Sequence, residues 1–113
     1  MLTEQEVSGI IHELCLELAA LFPGQRLDAI LFGSYARNDA ESGSDIDVMI
    51  LADSSRAEIA EKNWQIGDIA ADLLMHYGVM VSPVVENRDF FRDNTKTLPF
   101  FQNVVKEGVR ISV

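Results

Sequence analysis

A short apolar run, Leu27 to Phe32, ends directly on Gly33-Ser34, and ten residues later Asp45-Ile46-Asp47 opens a second apolar run that continues to Leu51. Runs of this length bounded by turn residues read as buried β-strands. The polar stretch 35–44, with Gly43 between two serines, is then a compact loop with room for one short helix. A glycine-serine bend at the end of one strand and two acids at the start of the next should meet at one edge of a sheet. Few folds place those residue types there, so this stretch constrains the chain more than any other.

The flanking sequence supplies the layers. Thr3 followed by Glu6 has the form of a capping box, and Val7, Ile10, Ile11, Leu14, Leu18 and Leu21 recur at helical spacing, predicting a helix over 4–22 that Pro23-Gly24 stops. Ser54 or Ser55 can cap a long second helix whose apolar stripe, Ile59, Ile66, Ile69, Leu73 and Tyr77, runs to Gly78. Val79 to Val85 is β-branched enough for a third strand, with Pro83 assigning it to a sheet edge or a bulge. Pro99 starts and Gly108 stops a last helix, after which Val109, Ile111 and Val113 alternate. Helix, strand, strand, helix, strand, helix, strand describes an α/β sandwich whose strand directions are open at this level.

At 113 residues with 48% hydrophobic content, the chain is the size of one domain, and a single domain over 1–113 is expected. Cys15, the only cysteine, sits among leucines and reads as a reduced, packed thiol. No apolar run approaches the roughly 20 residues that span a bilayer, and the amino terminus is acidic, so no membrane association is expected and the cytoplasm is the expected location. A formal charge of −9 argues against non-specific binding of nucleic acid, which depends on Lys and Arg. Arg88, Arg92, Lys96, Lys106 and Arg110 crowd the last quarter, interleaved with Asp89, Asp93 and Glu107 as on a solvated surface.

The chemistry follows from the residue types. Gly33 lets backbone approach a phosphate closely, and Ser34 offers a hydroxyl where a short helix aims free N–H groups. Asp45 and Asp47, two apart on a strand, leave the same face while Ile46 and Val48 enter the opposite layer. Adjacent carboxylates repel unless a cation lies between them, and carboxylate plus phosphate oxygens suit Mg²⁺, which seldom takes a full protein cage. The expected ligands are therefore ATP or another nucleoside triphosphate with Mg²⁺, two ions being possible at roughly 3.5–4 Å separation. Arg37 has two uses open to it: reaching a phosphate, or pairing with Asp39 or Glu41 at the surface.

This conjunction resembles the nucleotidyltransferase superfamily that includes DNA polymerase beta, whose signature is Gly-Ser, ten residues, then Asp-x-Asp. Gly33-Ser34-Tyr35-Ala36-Arg37 with Ser44-Asp45-Ile46-Asp47-Val48, and the tail Pro99-Phe100-Phe101 through Lys106-Glu107-Gly108-Val109, are similar to the minimal nucleotidyltransferases. The resemblance implies an α/β (α+β) nucleotidyltransferase fold, a small mixed β-sheet flanked by helices. It implies transfer of a nucleoside monophosphate, usually AMP from ATP, to a hydroxyl with release of pyrophosphate. Gly33, Ser34, Arg37 and Ser44 would then hold nucleotide, and Asp45 and Asp47 the metal. It also implies a partner, because such proteins are commonly paired with a small helical HEPN protein in toxin–antitoxin systems, the nucleotidyltransferase being the antitoxin.

One part of the pattern is missing. Active members usually carry a third carboxylate on the following strand, where Met80 and Ser82 stand here, and Glu86 lies about 13 Å beyond Ser82 at roughly 3.3 Å per residue. A general base contributes about 10²–10⁴ in rate. A slow transferase and a protein that acts by binding its partner or a nucleotide both fit that change. Phe90, Phe91, Leu98, Phe100 and Phe101 form an aromatic and aliphatic cluster for which core and interface are both open.

Overall fold

The computed structural model describes residues 1–112; the expected contribution of Val113 to the last strand lies outside them. Helix α1 (Glu4–Ala19) starts at the Thr3 cap, whose hydroxyl accepts from the Glu6 N–H at 3.1 Å while the Glu6 carboxylate accepts from the Thr3 N–H at 2.9 Å. That exchange satisfies two of the N–H groups a helix start leaves orphaned. The chain then forms β1 (Asp28–Phe32), α2 (Ser34–Arg37), β2 (Ile46–Ala52), α3 (Arg56–Glu61), α4 (Asn63–Tyr77), β3 (Val81–Asn87), α5 (Arg88–Asp93), α6 (Pro99–Glu107) and β4 (Val109–Ile111).

The sheet order is β3-β2-β1-β4, with β2 antiparallel to β1, β4 antiparallel to β1, and β3 parallel to β2. It is the small mixed sheet flanked by helices that the resemblance implies. Strand β3 is an edge, one of the two placements Pro83 allows, since proline has no N–H to give to a ladder. Alternation along the strands divides the apolar residues into two cores. Ala29, Leu31, Ile46, Val48, Ile50 and Val81 face α1 and α4, while Ile30, Met49 and Leu51 pack with Phe91, Phe101 and Val104 of α5 and α6. Each large side chain so buried stabilises the fold by roughly 1.5–3 kcal/mol.

The elements differ from expectation in two places. The second long helix is broken at Lys62 (φ −101°, ψ 7°), so that α3, capped by Ser55, packs on β3 while α4 packs on both α1 and β3. An unexpected helix, α5, follows β3 directly, capped by the Asn87 side chain accepting from the Phe90 N–H at 2.8 Å. The cluster of large apolar residues around the last two helices divides. Phe91 and Phe101 are buried with ring centroids 4.9 Å apart, whereas Leu98 and Phe100 are exposed.

Candidate nucleotide site

The β1–β2 register pairs Phe32 with Asp47, so the strand ends bring the Gly33-Ser34 turn and the Asp45-Ile46-Asp47 segment together. Gly33 is buried at φ +77°, a conformation that L side chains rarely adopt, and a Cβ there would overlap the Asp47 carboxylate. Glycine is therefore required at 33 for a reason beyond the one expected: it admits Asp47 to the mouth of the turn. Ser34 opens α2, half-buried, and its carbonyl accepts from the Asp39 N–H at 3.1 Å, closing the helix through left-handed Asn38 (φ 61°). As the first residues of a helix, Ser34 and Tyr35 carry N–H groups with no acceptor within it.

Asp45 is exposed and Asp47 half-buried. Neither forms an ion pair among the described residues. Burial, first, and the charge of Asp45, second, push the Asp47 carboxyl above its ordinary value, with Glu107 adding to the shift and Arg37 opposing it. The charge of Asp45 thus raises the proton affinity of Asp47, an excess of negative charge that a bound cation would offset. Two carboxylates are a partial donor set of the kind Mg²⁺ completes with phosphate oxygens and water; among the described residues no group of three His, Cys, Asp or Glu side chains is placed to hold a metal.

The parallel register sets Ser82 beside Asp47, and the Ile46 N–H donates to the Met80 carbonyl at 2.9 Å. The place of the missing third acid is thus occupied by a hydroxyl. Glu86 pairs instead with Leu51 in the ladder, and its buried carboxylate meets Arg56 at 3.1 Å.

Arg37 does pair with Asp39, at 3.1 Å from its Nε, but its second partner is not Glu41. It is Glu107, whose oxygens lie 3.2 and 3.3 Å from Nη1. Glu107 also accepts the Gly33 N–H at 2.9 Å. Ser44 closes the loop: its hydroxyl accepts from the Glu41 N–H at 2.8 Å and its own N–H donates to the Glu41 carbonyl at 3.0 Å. Beside Asp45 a cleft of about 260 Å³ opens between Ser44, Tyr35, Tyr77 and Met80. A larger one of about 510 Å³ lies between the amino-terminal segment, α2 and β4, and reaches neither aspartate.

A glycine-serine turn facing an unpaired Asp-x-Asp at one end of a small mixed sheet defines a nucleotidyltransferase fold. The chain belongs to the nucleotidyltransferase domain family, which matches residues 11–107. A candidate protein adenylyltransferase of Methanocaldococcus jannaschii is 35% identical over 98 residues, 87% of this chain and 90% of the relative. Another from the same organism is 31% identical over 106 residues, 94% and 99% of the two chains. Among solved structures, a chain of a toxin–antitoxin complex crystallised with AMP-PNP superposes with a TM-score of 0.60 at 26% identity, over 93% of this chain and 72% of that one. A tri-AMPylated HEPN toxin of Shewanella oneidensis in complex with its MNT antitoxin contains the same fold, with a TM-score of 0.54 at 24% identity, over 97% and 72%. The resemblance to the minimal nucleotidyltransferases is borne out.

Proposed function

We propose that the chain transfers AMP from Mg-ATP to a hydroxyl on a partner protein of the helical HEPN type, as the antitoxin of a pair. The observation that carries this reading is the Asp47 carboxylate lying against Gly33, the residue just before the start of α2, with the charge of unpaired Asp45 acting on it. It is supported by the adenylyltransferase relatives and by the toxin–antitoxin complex with AMP-PNP.

Asp45 and Asp47 would hold Mg²⁺, which supplies charge neutralisation at the phosphate oxygens. Ser34 and the first N–H groups of α2 bind and orient the triphosphate, with Arg37 beside them. Ser44 keeps the loop closed behind Asp45. The acceptor hydroxyl oxygen attacks the α-phosphorus as the bond from that phosphorus to the bridging oxygen of the β-phosphate breaks, and pyrophosphate leaves. With Ser82 where a carboxylate would take the hydroxyl proton, that proton passes to water and the step is slow. Intact-mass measurement of the partner after incubation with this chain and Mg-ATP should find added AMP. Asp45→Asn or Asp47→Asn should cut that addition about 10²-fold or more; equal labelling by both variants would remove the assignment.

The register of Ser82 against Asp47 favours a second reading, in which the chain neutralises its partner by binding alone. Complex formation would then be unchanged by both substitutions, and the partner would gain no mass.

A further inference from the structure

Glu107 is the last residue of α6, seventy-four positions from the turn it touches. The antiparallel pairing of Leu31 with Val109, counted on by two residues, sets Glu107 opposite Gly33. Gly108 makes the approach possible, because a Cβ there would overlap both the Val104 carbonyl oxygen and the Ile30 side chain. Only glycine lets α6 end this close to β1. The Glu107 carboxylate then takes the N–H of buried Gly33 and braces Arg37 through both oxygens. The Gly33 N–H first, and Arg37 second, hold its carboxyl below the usual glutamate range.

An ordinary surface ion pair binds one flexible cation and is worth little. Glu107 differs: its side chain is only 24% exposed, and it satisfies a backbone donor that would otherwise be stranded at the one residue whose conformation admits Asp47. We infer that Glu107 is a positioning residue for the nucleotide site, fixing the Gly33-Ser34 turn under Asp47 and aiming Arg37, so that the end of α6 sets the affinity for metal-bound triphosphate. This rests on the nucleotide reading above. It requires the phosphates to be held by Ser34, Tyr35 and Arg37, since the Gly33 N–H is already used.

The test uses the full chain and two measurements: calorimetric titration with Mg-ATP, and amide hydrogen exchange without nucleotide. Glu107→Ala should weaken Mg-ATP about tenfold, as expected for losing a hydrogen bond to a charged group. Amides 33–37 should exchange faster, while those of α1 and β2 keep their rates. Glu107→Gln retains an acceptor for Gly33 but no charge for Arg37, so it should recover part of the affinity and most of the protection. It also serves should the alanine variant fold poorly. Tighter binding by Glu107→Ala would overturn the inference, making Glu107 a competitor for the phosphate position, and unaltered exchange over 33–37 would overturn it equally. Failure of the wild-type chain to bind Mg-ATP would sink the nucleotide reading instead, and the exchange result would still decide whether Glu107 holds the turn.

Discussion

The two ends of β2 are built on opposite principles. At its carboxyl end Asp28, Asp53, Arg56, Glu86 and Arg88 all have partners. Arg88 bonds Asp28, Asp53 (3.0 Å) and the carbonyls of Arg26 and Leu51, and Arg56 meets Glu86 while lying 3.9 Å above the Phe90 ring. Gln25 ties Ser54 and Asp53 into the same network, accepting from the Asp53 N–H at 2.9 Å. At the amino end Asp45 and Asp47 are unpaired among the described residues, and the turn opposite uses a left-handed glycine and a left-handed Asn38. One end of the strand is arranged to hold the sheet together. The other carries repulsion between Asp45 and Asp47 that Arg37 opposes without pairing with either, the kind of electrostatic imbalance that marks a candidate site.

Giving the functional end the one group it lacks sharpens this contrast most. Ser82→Asp sets a carboxylate beside Asp47 in the ladder, where it can take the acceptor's proton. AMP transfer to the partner should rise about 10²-fold, read as the rate of mass addition under saturating Mg-ATP. An unchanged rate would show that proton removal does not limit the step, or that the chain acts by binding alone.

Breaking the structural end should do the reverse. Arg88 is 23% exposed, and its removal leaves Asp28 with the more distant Arg26 and Arg110 at 3.5 and 4.0 Å. Arg88→Ala should cost about 1–3 kcal/mol, a fall in Tm on the order of 10 °C. Affinity for Mg-ATP, measured below the new Tm, should stay within about twofold. A loss of nucleotide affinity at 20 °C with little change in Tm would erase the distinction between the two ends.

The local parts of this arrangement were open to sequence reasoning. The Thr3–Glu6 capping box, the Pro99 start and Gly108 stop of α6, and the edge position of β3 from Pro83 each depend on chemistry within a few residues. That Asp45 and Asp47 come close enough to interact accords with a period of two. The break at Lys62 was hidden because the stripe from Ile59 to Ile66 stays in phase across it, and α5 because six residues are too few to show a period. Glu107 was hidden for a different reason. In sequence it is one acid in a mixed-charge tail, and only the pairing of β4 with β1 brings it to Gly33. The pairing of β1 with β2 likewise brings Asp47 to Gly33, so that both acids meet one glycine.

The smallest expected effect is the most specific to the site. The Asp47 carboxyl titrates above its ordinary value in the fold, so between that ordinary value and the raised one the folded chain binds more protons than the unfolded chain. Stability therefore falls as pH rises through that window, and the penalty is fully present at neutral pH. Asp47→Asn removes it. Without metal or nucleotide the variant should melt slightly higher than the wild type at pH 7, and acidifying below the ordinary aspartate range should close the gap. Addition of Mg-ATP should invert the order, because ligand stabilises only the chain that binds it. A functional residue whose neutralisation strengthens the empty protein and weakens the loaded one marks the amino end of β2 as built for a ligand. A lower Tm for Asp47→Asn at pH 7 would instead make Asp47 a structural acid, and the two ends of the strand would no longer differ.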